Sequence, residues 1–357
     1  MPDLMNAPNA ASDANPPRPE PAPGYSGRSR LSSLTGVAFL GTGSYVPDTV
    51  ITNEDLAAVG YDSDWILQRT GILARRRLPD DLATSDMAVS AAEQCLAAAG
   101  VDRSQIDLVL VATMTPDMPS PSTACLVQER LGLRCAAMDL NAACAGFMYG
   151  LITGAQFIRT GCCRHVLVIG GDTNTRIVNP HDRKTFPLFG DAAGAVLLGP
   201  GRPTQGLRSF TLGAEGEGAS LLSIPAGGSR RPTTAELIEQ GATCIHMDGR
   251  SVFKWAVRLL VDTVQDVVKS ADLSLEDVKL VILHQANFRI LDAAATSLGL
   301  RPEQVFMNLE RYGNTSAGSI PLALDEAFRG GRIAPGDRVL LCGFGAGLAW
   351  GAAVIEW

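Results

Sequence analysis

Ala271-Asp-Leu-Ser-Leu-Glu-Asp-Val-Lys-Leu-Val-Ile-Leu-His284 is the second occurrence of a pattern first met at Gly100-Val-Asp-Arg-Ser-Gln-Ile-Asp-Leu-Val-Leu-Val-Ala112. In each, a short acid-bearing segment runs into an unbroken apolar stretch, and Leu280 lies 172 positions after Leu108. Asp337-Arg-Val-Leu-Leu-Cys-Gly343 answers Arg164-His-Val-Leu-Val-Ile-Gly170 at 173 positions, and Met307-Asn-Leu-Glu answers Met138-Asp-Leu-Asn at 169. Three registers that agree to within a few residues mark an internal duplication. Within each half, apolar strands alternate with helical segments, which calls for sheets covered on both faces. The reading is an α/β protein of two similar halves, residues 34–205 and 206–357, with helices shared between the two sheets.

Residues 1–33 are rich in Pro, Ala, Asn and Ser with almost no bulky apolar side chains. Such a segment cannot offset its ordering entropy and is expected to be a disordered tail. Its first 30 residues lack the apolar core of a signal peptide. A strand is predicted over Thr35–Leu40, closed by a turn at Gly41-Thr-Gly-Ser. Ser85 or Asp86 is expected to cap a long helix from Met87 to Ala99, and further strands fall at 108–112 and 166–169.

The chain has 357 residues, 46% of them apolar, and a formal charge of −7. That balance argues against nucleic acid as a partner, which needs clustered positive charge. No uninterrupted run of about 18 apolar residues suggests a membrane span. The eight cysteines show no C-x2-C pair, so no metal site is predicted, and free thiols suit a reducing cytoplasm.

Met138-Asp-Leu-Asn-Ala-Ala-Cys-Ala-Gly-Phe147 carries the chemistry. The run Ala136–Leu140 reads as the end of a buried strand, Asn141 as an N-cap, and Ala142 to Thr160 as a buried helix. Cys144 then falls in the first helical turn, where unpaired N–H groups and the helix dipole favour a thiolate. A lone buried cysteine is usually an inert apolar side chain, so a base and an anion-stabilising group must be found. The duplication supplies them. It aligns Cys144 with about Asn314 or Thr315 and sets Tyr312-Gly-Asn-Thr-Ser-Ala317 opposite the thiol. Of the four histidines, only His284 ends a predicted core strand at the edge where α/β sheets bind ligands. A thiol, an imidazole and a carboxamide thus converge from three loops.

Four stretches carry a resemblance: His284-Gln-Ala-Asn-Phe-Arg-Ile290, Tyr312-Gly-Asn-Thr-Ser-Ala-Gly-Ser319, Ala143-Cys-Ala-Gly-Phe147 and Gly343-Phe-Gly-Ala-Gly-Leu-Ala-Trp-Gly351. Together they resemble the β-ketoacyl-acyl-carrier-protein synthase III family of thiolase-fold condensing enzymes, from about Leu34 to Trp357. The resemblance implies a five-layered α-β-α-β-α arrangement and a Cys144, His284, Asn314 triad. It implies an oxyanion hole from the backbone N–H groups of Cys144 and Ala346. It also implies a homodimer built through the N-terminal half, acyl-CoA and malonyl-carrier protein as substrates, and no cofactor beyond the coenzyme A thioester itself. Matching positions place Trp65 and Arg69 near the adenine, Arg183 near the phosphates, Phe253 and Asn287 along a tunnel and Arg289 at its mouth.

Cousins fit less well. A biosynthetic thiolase needs a second cysteine in the C-terminal Gly-rich turn, where Phe344 stands, and elongating ketosynthases use a second histidine where Asn314 stands. Two departures bear on substrate. Ser120 precedes Pro121-Ser122 where family members often carry a bulky aromatic, so a longer acyl pocket is expected. The segment after Ile290 lacks lysines, which weakens an electrostatic dock for an acidic carrier and keeps open a CoA-bound or small-molecule acceptor in a secondary pathway. A scaffold subunit without activity is the reading from another class, and the intact triad argues against it.

Overall fold

The computed structural model describes residues 25, 26 and 29–357. One five-stranded sheet runs Val37–Tyr45, Ala192–Pro200, Val166–Asp172, Leu108–Ala112, Ala136–Leu140 in spatial order. The other runs Tyr25–Ser26, Ser29–Thr35, Gly206–Ala214, Ala349–Glu356, Arg338–Gly345, Leu280–Leu283. The duplication is visible in the pairing. Leu108 pairs in parallel with Val166, and Leu280 with Val339. Each of those central partners then pairs antiparallel with the strand that follows it. Where the first sheet adds Ala136–Leu140, the second has a single parallel bridge, Val281 to Val305.

Three apolar layers hold the sheets. Between them lie the helices Gly146–Arg159 and Ser319–Arg329, whose Leu151, Ile152, Ile320 and Leu324 pack against Leu110 and Val168 of one sheet and Ile282 and Leu341 of the other. Thr84–Ala99 and Thr123–Arg130 cover the outer face of the first sheet. Gly249–Ser270 and Phe288–Leu298 cover the outer face of the second. This is the expected α-β-α-β-α order. Strands packed on both faces must be apolar at successive positions, as Leu108–Ala112 and Leu280–Leu283 are.

The structure corrects several expectations. Of the tail expected over 1–33, residues 1–24, 27 and 28 lie outside the described residues. Residues 29–33, however, belong to the strand Ser29–Thr35. Backbone pairing to Gly206–Ala214 substitutes there for bulky side chains. Ser29 Oγ lies 2.5 Å from Thr211 Oγ1, which itself donates to the Arg30 carbonyl at 2.9 Å. The strand predicted over Thr35–Leu40 is split. Leu34 and Thr35 lie in the C-terminal sheet, and the chain crosses at Gly36, φ +83°, into the N-terminal sheet at Val37. Gly41 and Gly43 make no turn. They sit inside Val37–Tyr45, where any Cβ would meet the backbone of the helix Thr84–Ala99 at 2.7 Å and 2.3 Å. That helix begins at Thr84, because the Asp86 carboxylate reaches back to the Ala83 N–H at 2.6 Å and so sits inside the first turn.

Candidate active site

Each half presents the same turn at the end of its sheet. Asn141 Oδ1 accepts the Ala143 N–H at 3.1 Å, and Asn314 Oδ1 accepts the Ser316 N–H at 2.9 Å. Ala143 and Ser316 both adopt left-handed backbone, φ 46° and 51°. A 3-10 turn follows in each, Ala143–Ala145 and Ser316–Gly318, and leads into a central helix. Asn141 is therefore the counterpart of Asn314, and Cys144 that of Ala317. The expected alignment of Cys144 with Asn314 or Thr315 is off by two or three residues. The C-terminal half inserts the short helix Leu309–Tyr312 between its bridge strand and its turn, which changes the spacing.

The turns meet in a cavity of about 1510 Å³ lined by Cys144, His284, Asn314 and Ala346 together. His284 follows the strand Leu280–Leu283 directly. Its Nδ1 lies 2.7 Å from Ser319 Oγ, and its ring packs edge-on against Phe344 at 5.2 Å. Asn314 is fixed through its backbone, which donates to the Leu188 carbonyl at 2.8 Å and accepts the Gly190 N–H at 3.0 Å. Gly345 lies against the thiol residue: a Cβ there would stand 2.7 Å from the Cys144 nitrogen. The adjoining loop is held by reciprocal backbone bonds between Leu348 and Glu215, and the Glu215 carboxylate accepts the Trp255 indole N–H at 3.0 Å.

Burial sets the protonation states. The Cys144 thiol is pushed up to about 12, against a smaller opposing pull from the neighbouring Ser316 hydroxyl, with the Asp172 carboxyl adding to the rise. Desolvation thus opposes the thiolate that the helix end was expected to favour. The same burial lowers His284 to about 3, so its imidazole is neutral.

Trp65, Arg69, Phe253, Asn287 and Arg289 all line the cavity. The Arg289 guanidinium sits over the Phe253 ring at 5.7 Å. Asn287 has a structural task as well, since its Oδ1 caps the helix at the Arg289 N–H and its Nδ2 donates to the Arg69 carbonyl. Arg183 does not line the cavity. Its guanidinium lies 5.9 Å over the Tyr61 ring, and the neighbouring Lys184 lines the wall instead. Ser120 is exposed and lies outside its own chain's cavity. Sequence reasoning missed Ser319 as the partner of His284, although it closes a motif already singled out, and it missed the buried Ser316 and Asp172.

The chain is 54% identical to the β-ketoacyl-[acyl-carrier-protein] synthase III of Rhodopirellula baltica, over 92% of this chain and all of that one. The chain belongs to the β-ketoacyl-[acyl-carrier-protein] synthase III family. Two models of that family, described as 3-oxoacyl-[acyl-carrier-protein] synthase III and its C-terminal region, match residues 138–216 and 268–357. The solved structure of the synthase III from Thermus thermophilus superimposes with a TM-score of 0.83 at 43% identity, covering 89% of this chain and 98% of that one. The priming β-ketosynthase of the R1128 polyketide pathway gives the same TM-score at 34% identity, covering 91% and 97%. As a synthase III family member the chain is a condensing acyltransferase of the thiolase fold that acts in fatty-acid biosynthesis.

Proposed function

We propose that the enzyme primes chain synthesis by moving an acyl group from an acyl-CoA to Cys144 and condensing it with a malonyl thioester. The observation that carries this is the convergence of thiol, neutral imidazole and carboxamide in one cavity. Cys144 Sγ attacks the acyl-CoA carbonyl, its proton leaving with the CoA sulfur. The backbone N–H groups of Cys144 and Ala346 hold the oxyanion as it forms. A malonyl thioester follows, and loss of carbon dioxide leaves an enolate. His284 and Asn314 donate to that oxygen. Ser319 Oγ lies 2.7 Å from His284 Nδ1, and in the tautomer whose Nδ1 accepts the serine hydrogen, Nε2 carries the proton offered to substrate. Asn314 Oδ1 is taken by Ser316, which leaves its Nδ2 hydrogens free for substrate. The enolate carbon attacks the acyl-Cys144 carbonyl. The C–S bond breaks, the thiolate takes up a proton, and a β-ketoacyl thioester leaves.

The carrier arm and nucleotide fit the cationic wall: Arg69, Lys184, Arg250, Lys254 and Arg289 line the cavity beside Trp65. Guanidinium and indole suit phosphates and an adenine face. Malonyl-carrier protein is the favoured acceptor, because these cations offset the lysine-free face of Phe288–Leu298. The reaction needs no metal or redox cofactor. A homodimer is proposed through the N-terminal half. Its edge strand Ala136–Leu140 pairs on one side only and leaves Met138 and Leu140 partly exposed, an edge suited to a second copy. Ser120, outside its own cavity, would then gate the partner's acyl pocket. The described residues include no helix long and apolar enough to cross a membrane, and a cytoplasmic place is proposed with the substrates. The decisive experiment is intact-mass detection of acyl loading from acyl-CoAs, followed by malonyl-carrier or malonyl-CoA. One acyl adduct per chain is expected, lost on Cys144→Ser; full labelling of that variant would overturn the assignment.

A further inference from the structure

The two facing turns share their backbone path and asparagine bond, but the strand ends beside them differ. The strand Val166–Asp172 ends in a carboxyl group, and its counterpart Arg338–Gly345 ends in a glycine. Register fixes the match, because Asp172 and Gly345 are the last paired residues of corresponding antiparallel ladders, opposite Ala192 and Ala349. Asp172 Oδ2 accepts the Ala317 N–H at 3.1 Å. Ala317 is the counterpart of Cys144, over whose nitrogen only the hydrogen of Gly345 fits. Equivalent amide groups are thus used differently: one is bound by an internal carboxyl, and the other is left for the reaction.

Asp172 is fully buried and does not line the cavity. Its Oδ1 accepts from Thr113 Oγ1 at 2.9 Å, Met114 N at 2.8 Å, Thr115 N at 3.2 Å and Thr115 Oγ1 at 3.0 Å. Those donors follow the strand Leu108–Ala112 in the N-terminal half, whereas Ala317 belongs to the C-terminal half. The carboxyl therefore ties the halves together directly beside Ser316, whose N–H holds the Asn314 carboxamide. Ser316 Oγ is buried, meets no partner at ordinary hydrogen-bond geometry, and lies beside both Cys144 and Asp172.

We infer that Asp172 is a positioning residue that fills, in the C-terminal turn, the anion hole that the N-terminal turn keeps open, and so fixes Asn314 for decarboxylation. The inference rests on the reading of Asn314 as a donor to the malonyl thioester. In Asp172→Asn the carbonyl oxygen keeps its four donors on the Thr113–Thr115 side. Its NH2 then faces the Ala317 N–H, donor against donor, and the turn is released.

The test separates the half-reactions. Acyl loading of Cys144 is followed by intact mass, and decarboxylation of malonyl-carrier protein without primer is followed by carbon dioxide release. Asp172→Asn is expected to slow decarboxylation about ten- to a hundredfold, the scale of a lost hydrogen bond to a charged group, while loading stays within about threefold. Equal loss in both, or loss in neither, overturns the inference. If Asp172→Asn shows no cooperative melt, Thr113→Val decides. It removes one donor from the carboxyl, and a smaller loss confined to decarboxylation is expected, while an equal loss in both steps overturns the inference. A wild-type protein that performs neither half-reaction would instead overturn the functional reading beneath it.

Discussion

Cys144 and His284 are the two groups whose burial reaches furthest into chemistry, and their shifts make opposite statements about pH. His284 is lowered to about 3 in the fold, against about 6.5 in an unfolded chain. Between those values the unfolded state binds the extra proton. The stability from keeping His284 neutral is therefore full above about pH 6.5 and falls as pH drops toward 3. Cys144 is raised to about 12 against about 8.5 unfolded, so above about pH 8.5 the unfolded state loses a proton that the fold retains, and stability falls again. Denaturant melts from pH 4 to 10 should show a maximum between about pH 6.5 and 8.5, with His284→Gln flattening the acid side by an amount on the order of a few kcal/mol. An acid limb unchanged in that variant would contradict the assignment. That Cys144, His284 and Asn314 meet in one cavity was legible in the sequence, because duplication and strand ends mark those positions. Their protonation states were not, because the pattern shows a helix end but not how completely the surrounding layers exclude water. Arg183 lies over the Tyr61 ring, 122 positions away, a contact that no local pattern announces.

At the scale of elements, the helix Gly146–Arg159 does most to define the site: it fills the space between the sheets, and the thiol sits not in its first turn, as the sequence suggested, but in the 3-10 turn Ala143–Ala145 that leads into it. Leu151 is fully buried in the apolar layer between the two sheets. Leu151→Ala should therefore cost about 2–5 kcal/mol in denaturant or thermal melts. The loading rate of the surviving folded protein should change less, because Leu151 does not line the cavity. Leu108–Ala112 has the bounds the sequence predicted, since a fully apolar run has few other readings. Ala136–Leu140 is a strand, but a half-exposed one at the sheet edge rather than the buried one expected, because no strand packs beyond it. Gly41 and Gly43 were read as a turn because glycine marks both turns and close approaches. Only the position of Thr84–Ala99 against that strand decides between them. The insertion Leu309–Tyr312 was invisible for a different cause: an approximate repeat tolerates a few extra residues without losing its rhythm.

For the whole molecule, the acyl pocket and the assembly are one question, because Ser120 lies outside the cavity of its own chain. Octanoyl-CoA should load Cys144 nearly as fast as acetyl-CoA, and Ser120→Phe should shift the preference toward acetyl by about tenfold or more. A steep fall from acetyl to octanoyl in the unaltered enzyme would refute the open gate. Two similar α/β halves sharing helices were legible from the repeat, and the five-layer order came with the family resemblance. The exchange at Gly36 was not, because nothing in a short apolar segment says which of two sheets it joins. That exchange has a practical consequence. The strand Ser29–Thr35 pairs along Gly206–Ala214 in a sheet whose other strands, Tyr25–Ser26 apart, come from residues after 205. A fragment cut at the duplication boundary would therefore leave the ribosome with a raw, unpaired rim on Gly206–Ala214, sticky toward any strand it meets, and adding 29–35 back as a separate peptide is the remedy the topology prescribes.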